Sequence, residues 1–249
     1  MIGQEGAGRG DDPGGQDVLA GRENPAGTNG RPAGPPAWLA PLVAAAGQMT
    51  VPSQLRPPVT GGRPAAVLIL FGTGAAGPDL LLMQRSAQLR NHPGQPAFPG
   101  GSIDAADASP VSAALREAAE ETGVDPAGVQ VLAVLPELYI PRSGFRVTPV
   151  IGWWRTPVPV SPVDTAEVAA VYRVPVAELA SPANRIRIRY PGGQGGLAFR
   201  VRGLMVWGFT AMLIDRILAL GGWEEPWDQQ VVTELTEEEQ PFGWPRPGS

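Results

Sequence analysis

The sequence predicts an α/β fold in which strands dominate and helices cover a sheet on its two faces. Three stretches carry that prediction. Residues 65–71 are an unbroken apolar run of strand length, which suits a strand buried on both sides. Residues 109–123 open on Ser109-Pro110 and stop at Gly123, the cap, first-turn proline and left-handed terminus of a helix. Residues 204–220 are largely apolar, interrupted by Asp215 and Arg216, and read as a buried helix.

In chain order, residues 1–36 are rich in Gly, Pro, Asp, Asn and Arg and poor in apolar side chains. They cannot bury enough surface to offset the entropy of ordering, so a disordered tail is expected. The domain is expected over 37–223. Residues 38–46 read as a short helix between Pro36 and Gly47. Residues 65–71 and 80–84 read as strands joined by the turn chemistry of 72–78, hence a hairpin. The Gly- and Pro-dense stretch 85–109, with Phe98-Pro99-Gly100-Gly101, reads as a long functional loop. After the 109–123 helix come strands at 129–135, 146–154 and 167–174. Residues 185–190 alternate Arg and Ile, a strand with one wet face carrying Arg185, Arg187 and Arg189, and 197–201 is its expected partner. The 204–220 helix closes the domain, with Trp207 and Phe209 expected in the core. Residues 224–249, with Glu237-Glu238-Glu239 and several prolines, are expected to be weakly ordered.

Composition narrows the function. A net charge of −5 gives no electrostatic case for nucleic acid or for an anionic membrane. With no cysteine there are no disulfides, thiolate metal sites or cysteine nucleophiles. Neither a signal pattern nor a bilayer-length apolar run is seen, so a cytoplasmic protein is expected.

The chemistry is concentrated in Arg116-Glu117-Ala118-Ala119-Glu120-Glu121-Thr122-Gly123-Val124. Glu117 lies one helical turn from both Glu120 and Glu121, so the carboxylates share one side of the helix. Like charges at that spacing call for a counter-charge, which a divalent cation on hard carboxylate oxygens supplies; the alternative is a solvated acidic face.

Gly101 followed by Arg116-Glu117-x-x-Glu120-Glu121-x-Gly123-Val124 resembles the signature of the Nudix hydrolases. The leading acidic position is held by Asp107 rather than glutamate, and the gap to Arg116 is one residue longer than the general pattern. Both features match one branch. Leu81-Leu82-Met83-Gln84-Arg85-Ser86, Arg90, Gly94 and Phe98-Pro99-Gly100-Gly101 are similar to the leader of coenzyme A-type Nudix pyrophosphatases, with Met83 where that pattern has threonine. Further likeness lies in Ser143-Gly144-Phe145, Pro149-Val150, Glu167-Val168 and Trp207-Gly208-Phe209-Thr210-Ala211.

The resemblance implies a Nudix-type α/β/α sandwich around a mixed β-sheet. It also implies hydrolysis of the pyrophosphate of coenzyme A or its thioesters, with Mg²⁺ or Mn²⁺ as cofactor. Glu117, Glu121 and Glu120 are the expected metal ligands. Glu120 is the expected general base, with Glu117 an alternative, and Arg116 braces the glutamates. Gly100 and Gly101 let backbone approach metal or substrate. Arg85 and Arg90 are candidate ligands for substrate phosphates, including a 3′-phosphate, or else loop-bracing cations. His92 is a loop or substrate residue, Asp104 and Asp107 orient the loop, and Arg142 and Arg146 are expected in solvent. Glu167 is either an extra carboxylate for the metal or an edge charge. Two other functions fit the same residues: hydrolysis of another nucleoside diphosphate such as ADP-ribose or a dinucleotide, and a non-catalytic Nudix module that senses a ligand.

Overall fold

The computed structural model describes residues 34–141, 143–189, 195–230 and 232–233. The expected tail of 1–36 therefore lies, up to residue 33, outside the described residues. So do Arg142 and most of the expected C-terminal tail.

A 3₁₀ turn, Ala37–Leu39, leads into α1 (Ala40–Ala46), matching the expected first helix. β1 (Arg63–Gly74) and β2 (Gly77–Arg85) form the expected antiparallel hairpin, closed at Gly74↔Gly77. The following segment is more regular than a loop, because it contains β3 (Pro96–Ala97) and β4 (Gly100–Ser102). Next come α2 (Pro110–Thr122), β5 (Val129–Val134), β6 (Leu138–Ile140), β7 (Phe145–Trp154) and β8 (Val168–Pro175). Both α2 and the three longer strands match expectation. The chain continues through α3 (Val176–Ala180), β9 (Arg185–Arg189), β10 (Gly195–Val201), β11 (Leu204–Trp207), α4 (Gly208–Gly221) and β12 (Val232–Thr233).

The main sheet has eight strands, with β2, β1, β7 and β5 side by side, β8 and β3 on β2, and β6 on β7. Within it β1 pairs parallel with β7 from Arg63↔Phe145 to Phe71↔Trp153, and the other pairings are antiparallel, so the sheet is mixed. Period-two alternation along β1 builds both cores. Ala66, Leu68 and Leu70 pack with Ala113, Ala114 and Ala118 of α2, whose small side chains let helix and sheet approach closely. Ile69 and Phe71 point the other way, into Leu42 of α1 and Ile214, Ile217 and Leu218 of α4. Each such large apolar side chain contributes about 1.5–3 kcal/mol on burial. The result is the expected α/β/α sandwich.

One edge of β1 is shared. β2 pairs with Phe71–Gly74, whereas β4 pairs with Ala65, Ala66 and Val67, register Val67↔Gly100. This is how Gly100 and Gly101 come to lie in the sheet beneath α2.

Two expectations are corrected. Residues 204–207 are not the start of the last helix but a strand, in a second sheet of order β11-β10-β9-β12. Arg202 and Gly203 both have positive φ (53° and 74°), the conformation of a two-residue hairpin turn that pairs Val201 with Leu204. An apolar run alone does not separate strand from helix, and here the turn decides. Phe209 still packs against the core. Arg185 is not on a wet face: its side chain is only 1% exposed and pairs with Asp215 of α4 and with Glu224, at 3.2 Å for the latter. Its guanidinium also lies 5.0 Å from the Trp227 ring. Arg187 is half-buried and Arg189 exposed.

Candidate active site

The local sequence sets up α2 at both ends. Ser109 Oγ accepts the Ser112 amide at 3.2 Å, and Ser112 Oγ accepts the Ser109 amide at 2.9 Å, a reciprocal cap. Gly123 ends the helix at φ 74°. Between these caps, helical geometry puts Glu117 and Glu121 one turn apart.

The three glutamates are not equivalent. Glu121 is 6% exposed, whereas the Glu120 side chain is 60% exposed. Glu121 Oε2 accepts the Gly100 amide at 2.9 Å, and Arg85 Nη1 stands 4.0 Å from Oε1. Burial outweighs both and pushes its carboxyl up to about 8, helped by the charges of Glu117 and Glu167. Glu117, half-buried, is also raised by desolvation, against the opposing pull of Arg116. In both neighbouring carboxyls desolvation outweighs the arginine partner.

Arg116 is the hub of the outer ring. Its Nε and Nη2 donate to the two oxygens of Asp107, at 3.2 and 2.9 Å. Its Nη1 donates to Glu117 Oε1 at 3.0 Å and to Glu120 Oε2 at 2.9 Å, and its Nη2 also reaches the Ser102 carbonyl at 3.1 Å. The guanidinium holds the Asp107 carboxyl below its usual range, assisted by the Asp104 amide. Arg116 therefore ties β4, the following loop and two of the glutamates together.

The two glycines are tightly enclosed, Gly100 by backbone and Gly101 by the Glu117 carboxylate. A Cβ on Gly100, at φ 155°, would lie 2.3 Å from the Ala66 carbonyl oxygen. A Cβ on Gly101 would lie 2.5 Å from Glu117 Oε1. The backbone at 100–101 and the two inward carboxylates thus meet without an intervening side chain.

Other candidates are placed unevenly. Arg85 is in the site; Arg90 is exposed, with no ion pair among the described residues. His92, at φ 54°, bonds Gln95 Oε1 through Nδ1 at 2.9 Å and acts within the loop. Glu167 is exposed at the foot of β8, and its carbonyl accepts the Ser86 amide at 2.8 Å. Arg146 is not a free solvent cation, because it donates twice to Glu137 Oε2, at 2.9 and 2.8 Å. The Gly100 amide and the Ser102 carbonyl were missed by residue-type reasoning, since backbone groups leave no mark in a sequence.

Among the described residues no three acidic or imidazole side chains form a closed cation cage. The donor set nevertheless suits a hard divalent ion. Mg²⁺ keeps several waters and is held by one or two carboxylates together with substrate phosphates, which Glu117 and Glu121 can provide. Burial disfavours the charged form of both carboxyls, a cost that the positive charge of such an ion would offset.

Comparison with known proteins gives the same frame. The NUDIX domain family matches residues 62–191. An uncharacterized Nudix hydrolase NudL of Citrobacter koseri is 44% identical over 180 residues, covering 67% of this chain and 88% of that protein. An uncharacterized NudL of Pectobacterium atrosepticum is 47% identical over 131 residues, 53% of this chain and 66% of that one. Among solved structures, the Nudix hydrolase RenU of M. smegmatis aligns at 27% identity and TM-score 0.41, covering 49% of this chain and 75% of that chain. With its domain matched across more than half its length and its glutamate helix seated on a glycine loop, the chain belongs to the Nudix hydrolase family.

Proposed function

We propose that this Nudix hydrolase cleaves the pyrophosphate bond of coenzyme A or acyl-coenzyme A, yielding 3′,5′-ADP and 4′-phosphopantetheine or its acyl form. The observation that supports this substrate is the meeting of two motifs at one carboxylate. Glu121 of the helix accepts the Gly100 amide and faces Arg85, so both ends of the coenzyme A-type leader adjoin the glutamates. Glu117 and Glu121 would hold a Mg²⁺ or Mn²⁺ ion, which would supply charge neutralisation for the phosphates and the attacking water.

The chain's own groups do the rest. Arg85 offers positive charge to the pyrophosphate, and Arg90 offers it to a more distant phosphate of the substrate. Arg116 holds Oε2 of Glu120, leaving Oε1 of that exposed carboxylate to take the proton from the attacking water. The water oxygen bonds to phosphorus as the bridging P–O bond breaks, and the leaving phosphate departs with its electron pair. The missing side chain at Gly101 leaves room for the Glu117 carboxylate itself, and that at Gly100 for the Ala66 carbonyl, so the two glycines let the carboxylates seat against the sheet.

The test is product identity. Incubation with coenzyme A and Mg²⁺ or Mn²⁺ should release 3′,5′-ADP, and dephospho-coenzyme A should turn over more slowly. No 3′,5′-ADP from coenzyme A would overturn the substrate assignment.

A further inference from the structure

The loop that carries Arg90 is anchored to the sheet by side chains that the chemistry above does not use. β2 ends on an irregularity: its pairing with β8 runs in step to Gln84↔Ala170 and then shifts to Arg85↔Val168. Alternation along β2 sends Arg85 to the α2 face, where it meets Glu121, and Gln84 to the opposite face with Leu80 and Leu82. There the Tyr172 hydroxyl donates to Gln84 Oε1 at 3.3 Å, and Gln84 Nε2 donates to the Gly94 carbonyl at 3.3 Å. A planar amide holds its acceptor and donor in fixed relation, so securing the oxygen at Tyr172 aims the nitrogen at Gly94.

Gly94 is at the foot of the loop. Its amide donates to the Ser86 carbonyl at 3.3 Å, and the Arg85 amide donates to the Gln95 carbonyl at 3.0 Å. The His92–Gln95 bond stiffens the far side. These bonds give the loop a shape, while Gln84 sets its angle to the sheet. Arg90 is exposed with no ion pair among the described residues, so the backbone beneath it decides where its charge sits.

We infer that Tyr172 and Gln84 are positioning residues that hold the 86–95 loop on β2 so that Arg90 meets an anionic group of the substrate remote from the scissile bond. This rests on the reading of Arg90 as a phosphate ligand given above. The test is a double-mutant cycle in KM with Tyr172→Phe, Arg90→Ala and the double variant, run on whichever diphosphate the wild-type chain hydrolyses. Phenylalanine keeps the ring packing and removes only the hydroxyl.

Tyr172→Phe should raise KM about fivefold, the worth of one hydrogen bond, and leave kcat within about twofold. In the Arg90→Ala background the same change should do nothing further, because its effect passes through Arg90. Gln84→Met should repeat the pattern. An unchanged KM in Tyr172→Phe or in Arg90→Ala would overturn the inference. So would an equal KM increase on top of Arg90→Ala, or a loss seen in kcat. Turnover of another diphosphate but not of coenzyme A would sink the substrate reading alone, and the cycle would still be decided on that other compound.

Discussion

The Glu117 carboxylate occupies the space that a side chain at position 101 would need, since a Cβ on Gly101 would stand 2.5 Å from Glu117 Oε1. The obstacle is the end of a flexible side chain, so Gly101→Ala should fold with little change in Tm while moving Glu117 off the site. We expect a loss of roughly 10–100-fold in kcat/KM, the range seen when groups orienting a metal ligand are disturbed. Gly100→Ala is the contrasting case. Its Cβ would strike the Ala66 carbonyl at 2.3 Å from a φ of 155°, so stability should fall by about 1–3 kcal/mol or more, measured by denaturant unfolding.

The burial of Glu121 gives a pH signature in metal-free protein. Its carboxyl is pushed up to about 8 in the folded chain from an ordinary value of 4.5. The folded state then binds the proton more tightly than the unfolded one, so the stabilisation is complete below the unfolded value and is lost as pH rises toward 8. In chelator, Tm should fall between about pH 5 and pH 8. Glu121→Gln, which stays neutral, should flatten that slope; an identical slope would refute the assignment.

Asp107 should matter through Arg116. Asp107→Asn removes the charge that anchors the guanidinium while keeping the side chain's size, leaving Arg116 free to swing from Glu117 and Glu120. Activity should drop roughly 10–100-fold, and Arg116→Lys, which cannot form the two-pronged contact, should cost at least as much.

Chelation should abolish turnover, and added Mg²⁺ or Mn²⁺ should restore it. Glu117→Gln and Glu121→Gln should each lower kcat/KM by roughly 10²–10³-fold at saturating metal. Isothermal titration should show weaker divalent-ion binding in both. Full activity in either variant would remove that residue from the site.

Away from the site, Arg185→Met should lower stability by about 1–3 kcal/mol and leave KM unchanged. The guanidinium is buried between Asp215 and Glu224, but those carboxylates are more than 40% exposed and can rehydrate once it is gone. Asp215→Asn should cost less, because Glu224 remains as a partner.

Much of this was legible in the residues. The caps of α2 are spelled by Ser109, Pro110 and Gly123, and the β1–β2 hairpin by two apolar runs around glycines, because these signals act between near neighbours. The glutamate helix was legible for the same reason: the spacing of Glu117, Glu120 and Glu121 is a property of one helix. The β11 strand was not, because an apolar stretch suits strand and helix alike and the Arg202-Gly203 turn was the deciding signal. Arg185 misled because alternation identifies the face a residue is on and not what covers that face.

By itself, the sequence determined the Nudix family, the α/β class and the spacing of the glutamates along α2. Tertiary structure alone decided that Glu121 is the buried carboxylate and Glu120 the exposed one, and that Arg85 faces the former. It also decided that Tyr172 steers Gln84 across 88 residues of chain. The physical reason is common to all three. Spacing is set by backbone geometry within a few residues, whereas desolvation and partner choice depend on which distant segments the folded sheet brings together.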